Sequence, residues 1–143
     1  LDKKIFVRPY EITSLLISLS KAEPKLKRHL ELQKTAYVAF KPQEIIADLA
    51  NNGHPISPGS TGENVLISGI PIGDIKPGVS LKFPNVELTI TQDAPPCKTI
   101  KESFIGGQFS VISHKKQPNF TRWYAKVTQA GTIYLDDSIE TVN

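Results

Sequence analysis

Residues 79–91 read VSLKFPNVELTIT, and the pattern of this stretch is the main indication of the fold. Apolar and polar side chains alternate on both sides of Pro84-Asn85, as they do at Val86, Leu88 and Ile90. Because successive side chains of a strand point to opposite faces, this alternation places one face in a core and the other in solvent. Pro and Asn favour turns, so two strands separated by a turn are predicted.

Further strands are predicted on both sides of this stretch. Upstream, residues 12–19 and 37–40 are short apolar runs typical of strands. Downstream, Ala130-Gly131 is typical of a tight hairpin. The apolar positions assigned to strands there are Phe109, Val111, Trp123, Ala125, Val127, Ile133 and Leu135. Many short strands and eleven prolines favour a mainly β fold, a β-barrel with one or a few short helices.

One helix is predicted between Pro42 and Gly53. Proline suits a first helical turn because its missing N–H would be unpaired there, and Glu44 adds negative charge at the positive end of the helix dipole. Gly53 is expected to end the helix in a left-handed conformation. The apolar stripe at helical spacing comprises Ile45, Ile46, Leu49 and Ala50.

The composition favours one domain over residues 1–143 and argues against several classes of protein. No apolar run approaches the roughly 20 residues that cross a bilayer, so no membrane span is expected. Arg8, Pro9 and Glu11 interrupt what would be the apolar stretch of a signal peptide, so none is expected there either. A single cysteine cannot form an internal disulfide, which suits a reducing compartment such as the cytoplasm. The net charge is +3 but only three residues are Arg, which favours a weakly anionic partner over DNA.

Cys97 is the first candidate for chemistry. It follows Pro95-Pro96 and precedes Lys98, just past the end of an alternating strand. A loop thiol beside a cation is stabilised as a thiolate, which acts as a nucleophile or a metal ligand. A lone cysteine is also commonly a small buried apolar residue, and the local sequence leaves both interpretations open.

The second candidate is the loop of residues 58–64, PGSTGEN. Two glycines, two hydroxyls and an amide give a loop with free N–H groups, and such loops can wrap an anion. Most Gly-x-x-Gly pairs are only turns, however. This one is not a nucleotide phosphate loop, because no Lys-Ser/Thr follows the second glycine.

Together these stretches resemble the MOSC domain family, the C-terminal domain type of molybdenum-cofactor sulfurases. Residues 58–70 are similar to the family's Gly-Glu-Asn segment, and Pro96-Cys97 is similar to its Pro-Cys pair. Residues 122–127, followed by Gly131, resemble its closing Arg-x-Trp-Tyr-Ala-x-Val stretch. The resemblance is strongest over residues 35–142. Residues 24–31 lack the glycines that many members have there.

The resemblance implies a barrel whose cleft holds Cys97, either as the catalytic sulfur-bearing residue or as the metal ligand of a bound molybdenum cofactor. It implies a cysteine desulfurase as the sulfur donor, with pyridoxal phosphate on that partner only, and a metal–sulfur or molybdenum enzyme as the acceptor. Arg122 would face a phosphate or another anion. The residues implied to line the cleft are Ser60, Thr61, Glu63, Asn64, Lys98 and Arg122.

Three functions stay open at this point. The chain is a sulfur carrier with sulfurtransferase-like or molybdenum-cofactor-dependent activity, a non-catalytic anion- or nucleic-acid-binding β-barrel, or a degenerate family member that binds a partner. Aromatic residues make up only 8%, which argues against single-strand binding. The three histidines lack metal-ligand spacing, so no zinc is expected. On the closing strand, Trp123 is expected in the core and Tyr124 at the rim.

Overall fold

The computed structural model describes residues 7–11, 29–34, 37–57, 60–96, 98–117, 121–134 and 137–143. The strand expected at 12–19, Leu135 and Cys97 lie outside these ranges. One α-helix, α1, spans Gln43–Asn51, and short 3-10 turns cover Ile72–Asp74, Lys98–Ser103, Ile105–Gly107 and Phe109–Ile112. The strands are β1 (Val7–Glu11), β2 (His29–Leu32), β3 (Tyr37–Pro42), β4 (Val65–Ile67), β5 (Ser80–Lys82), β6 (Glu87–Ala94), β7 (Arg122–Gln129), β8 (Gly131–Tyr134) and β9 (Ser138–Val142). The expected mainly β fold is confirmed.

Seven of these strands form one sheet in the order β1-β9-β5-β6-β7-β3-β4, and β2 pairs with β8 in a second sheet. The long central strands β6 and β7 are antiparallel, with Leu88 opposite Val127 and Ile90 opposite Ala125. On the other side of β7, β3 is antiparallel to β7 and parallel to β4. The large sheet therefore brings the ends of β3, β6 and β7 side by side.

Both faces of the large sheet are covered by apolar side chains. One core joins Phe40, Leu88 and Val127 of the sheet to Leu32 of β2 and Ile133 of β8. A second core lies on the other face, where α1 and the 3-10 turns pack on Leu66 of β4. The buried members of this second core are Ile45, Ile46, Leu49, Ile56, Leu66, Ile100, Phe104 and Ile112. The segment that includes Cys97 thus connects the sheet to the second layer.

The predicted helix is confirmed with one change in its apolar stripe. Pro42 lies directly before α1, and Gly53 has a φ of 92°, the left-handed conformation expected of it. Ala50, however, is exposed. Glu44 in the first turn accepts a hydrogen bond from the Gly69 N–H at 2.9 Å, which ties α1 to the segment after β4. Among the described residues, no helix is long and apolar enough to cross a bilayer.

Two local predictions on the later part of the chain are wrong. Phe109 and Val111 lie in the 3-10 turn Phe109–Ile112 instead of a strand. Residues three apart eclipse in such a turn, so Phe109 and Ile112 face the same apolar cluster. Ala130-Gly131 does not form a hairpin, because β3 and β6 already occupy both edges of β7 and β8 pairs with β2 instead. Trp123 is buried and Tyr124 half-buried, as expected.

Candidate functional site

Arg122 lies at the first position of β7 and is almost completely buried. Its Nε donates a hydrogen bond to the Ala94 carbonyl at 3.4 Å, and Nη2 donates to the Pro95 carbonyl at 3.0 Å. Its Nη1 donates to the Thr61 carbonyl. The guanidinium, whose donors are fixed in a fork, thus joins the glycine-containing loop to the segment two residues before Cys97.

The loop of residues 60–64 is fixed on its other side by β3. Asn64 donates its backbone N–H to the Ala39 carbonyl at 2.7 Å, and its side-chain oxygen accepts the Ala39 N–H at 3.0 Å. Within the loop, the Thr61 hydroxyl donates to a carboxylate oxygen of Glu63 at 2.7 Å. Thr61 and Glu63 have no exposed surface. Thr61, Glu63 and Arg122 therefore form one buried network, and the half-buried Asn64 fixes the loop to β3 beside it.

Ser60 adjoins this network, and the 3-10 turn that begins at Lys98 is bonded to Ser60. The Ser60 hydroxyl accepts the Ser57 N–H at 3.1 Å, and the Ser60 carbonyl accepts the Ser103 hydroxyl at 3.2 Å. Ser103 ends the 3-10 turn that Lys98 begins, and the Lys98 side chain is exposed. Of the seven expected residues, Thr61, Glu63 and Arg122 are thus linked by hydrogen bonds, and Ser60 and Asn64 flank them in the same loop. Lys98 lies outside that network, and Cys97 lies outside the described residues.

Lys41 belongs to the same cluster and was missed by the sequence analysis. Phe40 of β3 pairs with Trp123 of β7, which places the next residue, Lys41, beside Arg122. The side chain has no exposed surface, and Nζ has no hydrogen-bond partner within the described part of the chain. The only signal in the sequence is a charged residue between the apolar run 37–40 and Pro42.

The environment lowers the pKa of Lys41 from its ordinary 10.5 to about 8. Burial is the main cause, because an enclosed ammonium loses its hydration. The Glu63 carboxylate opposes this effect, and the positive charge of Arg122 adds to it. Lys41, Glu63 and Arg122 are therefore electrostatically coupled in a buried cluster that carries two positive charges and one negative charge when all three groups are ionised.

We expect stability to rise with pH between about 8 and 10.5, because the unfolded chain binds a proton at Lys41 that the folded chain has lost. Below the folded-state pKa both states are protonated and the penalty for the buried charge is fully present. Urea denaturation at several pH values would measure this rise. The Lys41→Met variant should lack this rise. If the free energy of unfolding increased equally with pH in both proteins, Lys41 would not be its cause.

The histidines take part in contacts elsewhere. His54 accepts the Ile105 N–H on Nδ1 at 3.1 Å, and His114 packs edge-on against Trp123 with ring centres 5.3 Å apart. His29 lies 6.3 Å from the Tyr134 ring. Across the described ranges, no group of three or more His, Cys, Asp or Glu side chains is arranged to hold a metal ion.

A surface cavity of about 320 Å³ lies at the opposite end of β7. Gln129, at the last position of that strand, is among its lining residues, whereas Arg122 is at the first. Strand β7 has eight residues, so its first and last Cα atoms lie roughly 23 Å apart. The other lining residues are Lys82, Phe83, Pro84, Val86, Glu87, Ser138 and Glu140. This cavity is therefore separate from the buried network.

The family model described as MOSC domain matches residues 25–140. The structure is similar to that of YuaD protein from Bacillus subtilis, with a TM-score of 0.72, 18% identity, and coverage of 98% of this chain and 99% of that one. It is also similar to YiiM from Geobacillus stearothermophilus, with a TM-score of 0.70, 18% identity, and coverage of 95% of this chain and 76% of that one. For YiiM from Escherichia coli the TM-score is 0.68 and the identity 16%, with coverage of 93% of this chain and 70% of that one. These likenesses show a shared fold. No curated protein matches the sequence.

Proposed function

Because the chain belongs to the MOSC domain family, we propose that it is a sulfur carrier that holds sulfane sulfur as a persulfide on Cys97. The observation that carries this proposal is the Arg122 guanidinium, which bonds the Thr61 and Pro95 carbonyls at once. Pro95 and Cys97 are two residues apart, so their Cα atoms lie within about 7 Å of each other. A buried cation therefore anchors the backbone that presents the thiol.

The proposed reaction conserves electrons and atoms. The Cys97 thiolate attacks the terminal sulfur of a donor persulfide, so that the donor S–S bond breaks and a new S–S bond forms on Cys97. The donor leaves as a thiolate and takes the proton of the transferred sulfur. Cys97 is then an anionic persulfide and the donor a thiol. No external oxidant or reductant is needed.

We favour the carrier over a molybdenum-cofactor ligand because the described cluster does not fit a pterin phosphate. Each side-chain nitrogen of Arg122 already donates to a backbone carbonyl, and Lys41 is enclosed. The Glu63 carboxylate in the same cluster would repel a phosphate. Lys98, the next residue in the sequence after Cys97, is an exposed cation. No step of the proposal passes through the cofactor.

The proposed donor is a cysteine desulfurase, because this class of enzyme presents sulfane sulfur on a cysteine of its own. A reducing compartment such as the cytoplasm suits the exchange, since a free thiolate must be regenerated after each transfer. Lys98 lies next to Cys97 in the sequence and is exposed, where it would attract an acidic or thiolate-bearing partner. The proposed acceptor is a metal–sulfur or molybdenum enzyme.

Incubation with a cysteine desulfurase and free cysteine should add about 32 Da to the protein, and a reductant should remove that mass. The Cys97→Ala variant should show no gain, because the chain has no second thiol. Intact-protein mass spectrometry measures both. The Lys98→Met variant serves as a folded control that keeps the thiol. Loading of the Cys97→Ala variant, or none in the natural chain under conditions that load a known persulfide carrier, would contradict the proposal.

A further inference from the structure

The Lys41 ammonium is an enclosed cation without a hydrogen bond. Its side chain has no exposed surface, and within the described part of the chain Nζ has no partner for any of its three donors. Buried cations in proteins are normally paired and hydrogen-bonded, because an enclosed charge loses the water that stabilises it. A motion that admits water to the ammonium would therefore relieve a cost that the closed structure bears.

Lys41 points to the face of the large sheet that the second core covers. Its neighbour Phe40 belongs to the first core, and successive side chains of a strand point to opposite faces. Leu66, the partner of Lys41 on β4, belongs to the second core together with Ile100 of the turn Lys98–Ser103. The ammonium is thus enclosed between the sheet and the layer that contains this turn.

Loop 60–64 and the turn Lys98–Ser103 are joined into one unit, which we call the cover. The last residue of the turn donates its hydroxyl to the carbonyl of the first residue of the loop at 3.2 Å. Asn64, at the end of the loop, exchanges two hydrogen bonds with Ala39 of β3, and Arg122 of β7 donates to a loop carbonyl. A segment held in this way can open as a unit while the strands stay paired.

Two charged groups face the ammonium in the closed state. Burial is the main cause that lowers the pKa of Lys41 to about 8, while the Glu63 carboxylate opposes the shift and Arg122 adds to it. The other charged side chains of α1 and of the turn are exposed to solvent, namely Glu44, Asp48, Lys98, Lys101 and Glu102. The enclosed cluster therefore keeps an excess positive charge while Lys41 is protonated.

We propose that the protonated Lys41 opens the cover, so that the buried network of Thr61, Glu63 and Arg122 is reached from solvent through a minor state at neutral pH. Loss of the proton at alkaline pH removes the cost of enclosure and keeps the cover closed. This opening involves no sulfur chemistry, so it does not depend on the proposed carrier function. It makes access to the candidate site dependent on pH.

The direction of the pH dependence follows from proton binding in the two states. In the open state water surrounds the ammonium, and its pKa returns towards the ordinary 10.5 from about 8 in the closed state. The open state therefore holds the proton more tightly. Its population rises as the pH falls from 10.5 towards 8 and is constant below that range.

Hydrogen exchange followed by NMR at pH 7 and pH 9.5 tests this opening. The reporters are the amide of Asn64, which donates to the Ala39 carbonyl at 2.7 Å, and the amide of Phe104, which donates to the turn at 3.1 Å. Their opening constants, corrected for the intrinsic exchange rate at each pH, should be about tenfold or more larger at pH 7. The amide of Ile90 on β6, which donates to the Val79 carbonyl, should open about a hundredfold less often than the reporters.

Two variants at position 41 separate the charge from other causes. Lys41→Met carries no charge, so its reporters should open about tenfold or more rarely than those of the natural chain at pH 7, and equally at both pH values. Lys41→Arg keeps a charge that does not titrate in this range, so its opening should be as large as that of the natural chain at pH 7 and unchanged at pH 9.5. The exposed control Lys126→Met should follow the natural chain.

Three results would overturn the proposal. In the first, folded Lys41→Met opens as often as the natural chain at pH 7. In the second, the natural chain opens equally at both pH values. In the third, the reporters and Ile90 share one opening constant, which would mean that only global unfolding exposes them. Should Lys41→Met not fold, Lys41→Arg decides, because a pH dependence like that of the natural chain would exclude Lys41 as its cause. A chain that never takes up sulfur would still show the opening, so the two proposals fail separately.

Discussion

Replacing Arg122 with Met will lower the free energy of unfolding by about 3–5 kcal/mol, because the change leaves buried carbonyl groups without a donor. Methionine keeps an unbranched apolar stem, shorter than the lost side chain, and cannot donate to the Ala94, Thr61 or Pro95 carbonyls. Hydrogen bonds to a charged group contribute about 1.5–3 kcal/mol each, and their losses do not add fully because one guanidinium makes all of them.

Urea denaturation would measure this effect, with Lys126→Met as the matched control. Lys126 lies on the same strand but is exposed, so replacing its cation with Met should alter stability by less than about 0.5 kcal/mol. Arg122→Lys should fall between the two, since an ammonium is a point charge that cannot span both segments. A loss of less than about 1 kcal/mol in Arg122→Met would show that the guanidinium does not hold the two segments together.

A change of Gly131 to Ala is expected to cost about 2–3 kcal/mol. A Cβ at this position would lie 2.2 Å from the Asn85 carbonyl oxygen and 3.2 Å from its carbon, far inside the contact distance. Asn85 belongs to the turn between β5 and β6, so the clash is with backbone and cannot be relieved by a side-chain rotation. The turn, or the start of β8, must move.

Gly73→Ala is the control for this prediction, because no atom lies within 4 Å of its added Cβ. Its effect on the midpoint of thermal unfolding should be small, whereas Gly131→Ala should lower the midpoint by many degrees. Two variants with equal midpoints would show that the β7–β8 junction accommodates a side chain.

The parts of the fold set by local periodicity could be predicted from the sequence. The alternation of Val86, Leu88 and Ile90 was long enough to be distinctive, and β6 contains Leu88 and Ile90 and begins directly after Val86. Phe109 and Val111 offered only two positions of alternation, which a 3-10 turn with Ile112 satisfies equally well. Whether Ala130-Gly131 forms a hairpin depends on which strands flank β7. Those strands are distant in the sequence, so the local sequence does not predict this pairing.

The candidate site likewise has residues that could be predicted from the sequence and one that could not. Thr61, Glu63, Asn64 and Arg122 were expected to line one cleft because their pattern resembles a family. The structure joins Arg122 to Thr61 and Thr61 to Glu63 through hydrogen bonds, whereas Asn64 bonds Ala39 of β3. Lys41 could not be found in this way. Lysine is seldom fully buried, so a charged residue after an apolar run normally indicates the end of a strand. Its burial follows from α1 and the 3-10 turns that cover the outer face of the sheet.

The pairing of β1 with β9 has a consequence for how the protein forms during synthesis. Val7 lies opposite Val142, and β9 is inserted between β1 and β5. As the ribosome produces the chain, β1 emerges early and has no partner until nearly all of the described strands have followed. The edge of β5 that pairs with β9 stays open from the synthesis of β5 until β9 emerges. The nascent protein therefore exposes unpaired strand edges during synthesis. Chaperones bind such chains, and such chains also aggregate.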